Sequence, residues 1–182
     1  MKILALDVAL ANTGYAVIDM KDDSLVDTGI ITTSLHPDVK KGKKPKTMDQ
    51  MDRINKIIDV LQKVTYEHRV ELGAICAELP TGGSHSAAAL EAMSIAKTVV
   101  IVFARLTGLD FYPVTPHQVK MTTGQRYASK IRIQIKISKM YPTLRKEYRS
   151  TRSKSGFKDD FEHVADAISG YYAAKKEYEA LN

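Results

Sequence analysis

The sequence predicts an α/β fold in which a mixed five-stranded sheet, antiparallel through its first three strands and parallel thereafter, is flanked by helices. Three observations carry this expectation. Short apolar runs alternate with turn residues at the start of the chain, helical and strand-like segments alternate through its middle, and the last stretch keeps a helical apolar spacing.

The elements follow in order. Ile3-Leu4-Ala5-Leu6 reads as a buried strand, Ala11-Asn12-Thr13-Gly14 as a turn, and Tyr15-Ala16-Val17-Ile18 as a strand returning beside the first. After the polar Lys21-Asp22-Asp23-Ser24, the stretch Leu25 to Thr33 is rich in Val, Ile and Thr and completes an antiparallel meander. Residues 34–46 hold two prolines, a glycine and five lysines and read as a surface loop, either solvated or in contact with phosphate. Thr47 with Gln50 forms a capping-box pattern for a helix whose stripe is Met51, Ile54, Ile57, Ile58, Leu61 and Val64.

The run Ala74-Ile75-Cys76-Ala77 is a buried strand that ends in Glu78 and is broken by Pro80, Gly82 and Gly83. A helix follows from Ala87 to Leu106, stopped by Thr107-Gly108 and entered through Ser84 or Ser86 as cap. Phe111-Tyr112-Pro113-Val114 is the fifth strand, and Pro116 opens the next turn or helix. Ile131, Ile133, Ile135 and Ile137 alternate strictly, which by itself argues for a strand. Tyr141 to Lys158 is basic and loop-like, and Phe161, Val164, Ala165, Ile168, Tyr172 and Ala173 place a terminal helix over Phe161 to Leu181.

Composition narrows the possible classes. The 182 residues carry 27 Lys and Arg against 21 Asp and Glu, a formal charge of +6, and 44% are hydrophobic. The lone Cys76 excludes a disulfide scaffold and a thiolate zinc site. No uninterrupted run of about 18 apolar residues occurs, and Asp7 comes too early for a signal-peptide core. The expectation is a soluble protein in a reducing cytoplasm, folded as one domain over residues 1–182, with no membrane partner.

Three acids interrupt apolar contexts. Asp7 ends the first strand, Glu78 ends the strand at 74–77, and Asp166 lies between Ala165 and Ala167 one turn inside the terminal helix. An Asp at a strand end is more often a turn former or a cap than a ligand. Three half-buried carboxylates at element ends are costly unless a cation compensates them, so as a set they suggest convergence on a metal. His163 stands three residues before Asp166 on the same helical face. Oxygen donors with one imidazole suit Mg²⁺ or Mn²⁺ rather than zinc. Two such ions, about 3.5–4 Å apart and sharing carboxylates, support in-line phosphodiester hydrolysis.

These blocks resemble the RuvC-type Holliday junction resolvases of the RNase H-like superfamily, and especially their phage-encoded relatives. The resemblance runs from Ile3 to Ala174. It rests on Ile3-Leu4-Ala5-Leu6-Asp7 with Thr13-Gly14-Tyr15, on Glu78 after its strand, on Val119-Lys120 with Gly124 and Ala128-Ser129-Lys130, and on His163-Val164-Ala165-Asp166-Ala167. It implies an RNase H-like nuclease domain that nicks opposing strands of four-way DNA junctions, works as a homodimer, and uses Mg²⁺, with Mn²⁺ as a substitute. If phage-encoded, such a protein acts in the host cytoplasm. By position, Asp7, Glu78, His163 and Asp166 are the implied metal ligands, and Lys120 and Lys130 lie near the scissile phosphates. The resemblance also places 128–140 on a helix despite the alternating isoleucines.

Two departures matter. Val8-Ala9 stands where the family has Pro-Gly or Gly, and Leu79-Pro80-Thr81-Gly82-Gly83 lacks the aromatic wedge that bacterial members place after the second acid. The basic charge is also concentrated. Residues 120–158 hold twelve cations, Lys120, Arg126, Lys130, Arg132, Arg145, Lys146, Arg149, Arg152 and Lys154 among them, against Glu147 alone. Such a stretch suits sequence-independent phosphate binding, with Tyr148 as a candidate base-stacking residue. The alternatives are a broader nuclease for forks, flaps and three-way junctions, or a non-catalytic junction-binding module. Actin-like sugar kinases share a related core, but the chain lacks their second phosphate hairpin and is too short for two lobes.

Overall fold

The computed structural model describes residues 1–79, 86–124, 128–150 and 156–181. Its strands are β1 (Lys2–Asp7), β2 (Asn12–Asp19) and β3 (Leu25–Thr32), followed by the helices α1 (Pro37–Lys40) and α2 (Lys46–His68) and by β4 (Leu72–Glu78). Then come α3 (Ala87–Thr107), β5 (Asp110–Val114), α4 (Pro116–Met121), α5 (Lys130–Met140), α6 (Pro142–Glu147) and α7 (Phe161–Leu181). The sheet order is β3-β2-β1-β4-β5, antiparallel between β1 and β2 and between β2 and β3, and parallel from β1 to β4 to β5. This is the expected mixed five-stranded arrangement.

Both sheet faces are covered, which is why β1 reads as an unbroken apolar run rather than an alternating one. Ile3 and Ala5 face the helices α4 to α7, while Leu4 and Leu6 face α2 and α3. Beside them Ala74 and Cys76 of β4 share the α7 side, and Ile75 and Ala77 share the other. The alternation continues to the strand ends, so Asp7 and Glu78, register partners across β1 and β4, both fall on the α7 face. Cys76 is fully buried, and desolvation pushes its thiol up to about 12, so it is an inert core residue.

Several local expectations change. Asn12 to Gly14 belong to β2, so the turn is residues 8–11; Thr13 Oγ1 donates to the Ala9 carbonyl at 2.8 Å and holds it closed. The segment 34–46 contains the short helix α1, capped by His36. Helix α2 begins at Lys46 after Pro45 without a side-chain cap; Thr47 lies inside it, and Gln50 instead donates to Glu91 of α3 at 2.9 Å. Met51 is exposed, leaving Ile57, Leu61 and Val64 as the buried stripe.

The isoleucine repeat is helical, as the family resemblance implies. In α5 Ile133 and Ile137 are buried and Ile131 and Ile135 are exposed, because side chains two apart point about 200° around a helix rather than along one face. The stretch after Tyr141 is not loop-like throughout. It contains α6 and a bridge between Arg149 and Phe157, and it buries Tyr141, Leu144, Tyr148 and Phe157. Tyr148 stacks on Phe161 at 5.1 Å between ring centroids, so it packs in the core and does not reach bases.

Helix α7 lies against β1, β2 and β4 and seats Phe161, Val164, Ala165, Ile168 and Tyr171 in the core. Its first turn approaches so closely that a Cβ on Gly14 would stand 2.3 Å from the His163 carbonyl oxygen. Gly14→Ala is therefore expected to destabilise the protein by about 1–3 kcal/mol through overpacking. Chemical denaturation measures this; a variant as stable as the parent contradicts the close packing.

Candidate active site

Four elements bring the site together. β1 and β4 end side by side at Asp7 and Glu78, α7 carries His163 and Asp166 across that end, and α4 and α5 bring Lys120 and Lys130. His163 Nδ1 and Asp7 Oδ2 are 2.9 Å apart, joining the first strand to the last helix. Lys130 Nζ donates to Glu162 Oε1 at 3.0 Å, and His163 Nε2 lies 3.9 Å from the same oxygen.

The electrostatics follow from crowded, half-buried acids. Burial, then the facing charge of Asp7, push Glu78 up to about 7, against the opposing pull of Lys120 and Lys130. Asp166 is likewise pushed up to about 7, first by burial and then by Asp7 and Glu78. The hydrogen bond to Asp7 raises the His163 pKa above its usual range despite the opposing effect of burial. Burial also works against the charge of Lys130, but the bond to Glu162 and the fields of Glu162, Asp166 and Asp7 outweigh it and hold its pKa high.

Among the described residues no three ligating side chains close into a metal cage, so the centre is an open rim of acids. That rim fits a divalent cation. Its donors are hard carboxylate oxygens and one imidazole, and mutually repelling carboxylates in a half-buried setting are what a cation compensates.

The predicted residues are thus partly united. Asp7, Glu78, His163 and Asp166 lie at one end of the sheet, and Lys120 and Lys130 are close enough for their charge to act on Glu78. Arg132, Arg145, Lys146 and Arg149 are exposed. Arg145, Arg149 and Lys139 line a separate surface cleft of about 290 Å³. Arg126, Arg152, Lys154 and the loop Gly82-Gly83-Ser84 lie outside the described residues. Sequence reasoning missed Asn12, Asp159, Asp160 and Glu162, which line an open cleft with His163. The one signal for them was the acidic run beside His163, Asp159-Asp160-Phe161-Glu162.

A mixed sheet with carboxylates at the ends of its first and fourth strands, and a closing helix that brings a third, is an arrangement suited to divalent-metal phosphodiester chemistry. Residues 3–149 match the family model of the crossover junction endodeoxyribonuclease RuvC, and the chain belongs to that family of divalent-metal-dependent nucleases. The fold agrees. A Thermus thermophilus RuvC structure in complex with Holliday junction substrate superposes with TM-score 0.72 at 18% identity, covering 99% of this chain and 96% of that one. A second Thermus thermophilus RuvC structure gives TM-score 0.67 at 18% identity and the same coverage. The fold is accordingly RNase H-like. No curated protein sequence matches the chain. The family match contains Asp7, Glu78, Lys120 and Lys130 but stops short of α7, so His163 and Asp166 rest on the geometry above.

The raised acids predict a pH-dependent stability. Glu78 and Asp166 move from 4.5 and 3.8 to about 7 on folding, so the folded chain binds the extra protons. Their favourable contribution is complete below the unfolded values and is lost as pH rises through about 7. With a chelator at pH 8, Asp166→Asn is expected to melt about 5 °C above the parent, and by less at pH 5. Mg²⁺ or Mn²⁺ should raise the parent's Tm more at pH 8 than at pH 5. Identical melting of both proteins at every pH contradicts the crowding.

Proposed function

We propose that the chain resolves Holliday junctions by paired nicks in four-way DNA, with residues 1–182 acting as one RNase H-like nuclease domain in the cytoplasm. The observation that carries this reading is the juxtaposition of Asp7, Glu78 and Asp166 at one sheet end with Lys120 and Lys130 acting on the same charges. Asp7, Glu78, His163 and Asp166 would hold the metal, Mg²⁺ or its substitute Mn²⁺. When bound, divalent ions supply the Lewis acidity for water attack and for the leaving oxygen.

The chain's own residues prepare the site for a phosphate. Lys120 and Lys130 offset the negative charge of an incoming phosphodiester beside the acids. With its proton on Nδ1, His163 donates to Asp7 and fixes both side chains, leaving Nε2 toward the cleft. Exposed Arg132, Arg145, Lys146 and Arg149 add sequence-independent backbone contacts, and the structurally similar Thermus thermophilus RuvC holds a Holliday junction substrate. Asp7→Asn is expected to abolish nicking of a synthetic four-way junction while leaving its binding in place. Nicking by this variant at the parental rate would refute the assignment.

Two opposed nicks require two active centres, and α3 offers a face for a second copy. It packs Ala96, Val100, Phe103 and Ala104 on the sheet but leaves Val102 49% and Leu106 81% exposed. With Ile54, Ile58, Ile95 and Phe103 they line an apolar groove of about 560 Å³ between α2 and α3. The helix is also long and apolar enough to match a membrane span, although Glu91, Lys97 and Arg105 interrupt it. An exposed apolar patch of this kind suits a second copy of the chain. Leu106→Glu is expected to convert a dimer into a monomer in sedimentation and to uncouple the paired nicks. A parent that sediments as a monomer overturns the dimer, and parental binding to neutral vesicles would assign the face to a membrane.

A second reading keeps the chemistry and widens the substrate to forks, flaps and three-way junctions. It is favoured by the run after Glu78, Leu79-Pro80-Thr81-Gly82-Gly83, which contains no aromatic residue. Equal nicking rates on three-way and four-way junctions support this wider reading, and a strong four-way preference rejects it.

A further inference from the structure

We infer that the lysine-bearing segment between β3 and α2 is a second phosphate-binding surface, gripping a DNA arm on the side of the carboxylate cleft opposite α4 and α5. This rests on the branched-DNA reading. The placement comes from topology. β3 runs in the same direction as β1, and its last residue, Thr32, pairs with Asn12, a lining residue of the cleft beside His163. Thr33 N then donates to the Ala11 carbonyl at 2.7 Å, so the segment leaves the sheet at the carboxylate end. β3 stands two strand spacings, about 10 Å, to one side of β1. Lys120 follows β5, at the opposite sheet edge. The two basic segments therefore follow strands at opposite edges of the sheet, one on each side of β1 and β4.

The segment is held in shape although it adds nothing to the core. Helix α1 buries no residue, yet Asp49 of α2, itself 2% exposed, accepts the His36 backbone N–H at 2.9 Å. Arg53 stands 3.9 Å from Asp49 and donates through Nε to Thr33 Oγ1 at 2.9 Å. Asp38 N donates to His36 Nδ1 at 3.2 Å, and the Lys43 and Lys44 N–H groups both donate to the Asp38 carbonyl. Gly42, at φ 69°, makes the reversal that these bonds close. A buried carboxylate is an expensive anchor for a solvent-exposed turn. Core packing gives no reason for it; presentation of a fixed charge pattern does.

The pattern is cationic. Of the five lysines, Lys44 pairs with Asp52 and Lys46 with Glu91. Lys40, Lys41 and Lys43 are exposed and form no ion pair among the described residues. Three ammonium groups without an ion-pair partner among the described residues, on a hydrogen-bonded turn at the carboxylate end of the sheet, suit the backbone of a nucleic-acid arm.

The test is a triple variant, Lys40→Gln, Lys41→Gln and Lys43→Gln, in surface positions that leave the fold intact. Binding to a labelled four-way junction is measured in chelator from about 50 to 200 mM salt, beside the parent and an Arg145→Gln/Arg149→Gln variant. The triple variant is expected to bind roughly tenfold more weakly at the low end, with a log–log salt slope reduced by up to about 2.7. Its nicking rate at saturating junction and Mg²⁺ should stay parental, because none of the three lysines touches the cleft. Parental affinity and slope in the triple variant, with weakened binding in the Arg145/Arg149 variant, overturn this inference alone. A parent that binds no branched DNA overturns the functional reading and this inference with it.

Discussion

The packing of α7 across β1 and β2 is the constraint on which the site depends. The helix supplies two candidate ligands, and they can reach Asp7 only because Gly14 presents no side chain where the His163 backbone crosses the sheet. Its middle is tied to the β2–β3 turn as well. Tyr171 and Lys175 both donate to Asp23 in the β2–β3 turn, while the Tyr141 hydroxyl donates to the Asp23 carbonyl and meets Tyr172. Asp23 adopts φ 57°, a conformation Asp tolerates better than most residues. A helix held at its first turn and again from its middle onward keeps Asp166 near Glu78 at the end of the sheet.

That rigidity has an electrostatic consequence. Burial and the neighbouring acids at this end of the sheet push the Glu78 and Asp166 carboxyls up to about 7. In the proposed reading this crowding is what a divalent ion would relieve. The charge of +6 conceals this division. The stretch 120–158 and the lysine turn before α2 carry the positive excess, while the converging strand and helix ends carry the acids.

Much of the fold was legible because its signals are local. The β1 and β4 runs, the Thr107-Gly108 stop and the terminal helix each depend on near neighbours, and the last was bounded correctly at Phe161 and Leu181. Signals that depend on partners were misleading. Thr47 and Gln50 match a capping box, but Gln50 serves Glu91 on another helix. Tyr148 sits among cations like a stacking residue, yet Phe161 takes its ring. The isoleucine alternation suggested a strand, and only the apolar surface of α7 selects which pair of side chains is buried.

The sequence by itself determined the order of the five strands and the long helices, the family and which acids stand at apolar element ends, because hydrophobic periodicity and residue identity are written along the chain. The tertiary structure decided which of those acids face each other, that Lys120 and the lysine turn follow strands at opposite sheet edges, and that one α3 face is exposed. These are properties of strand order and helix crossing. Residues such as Asp7 and His163, 2.9 Å apart in space, are joined by packing that no local pattern encodes.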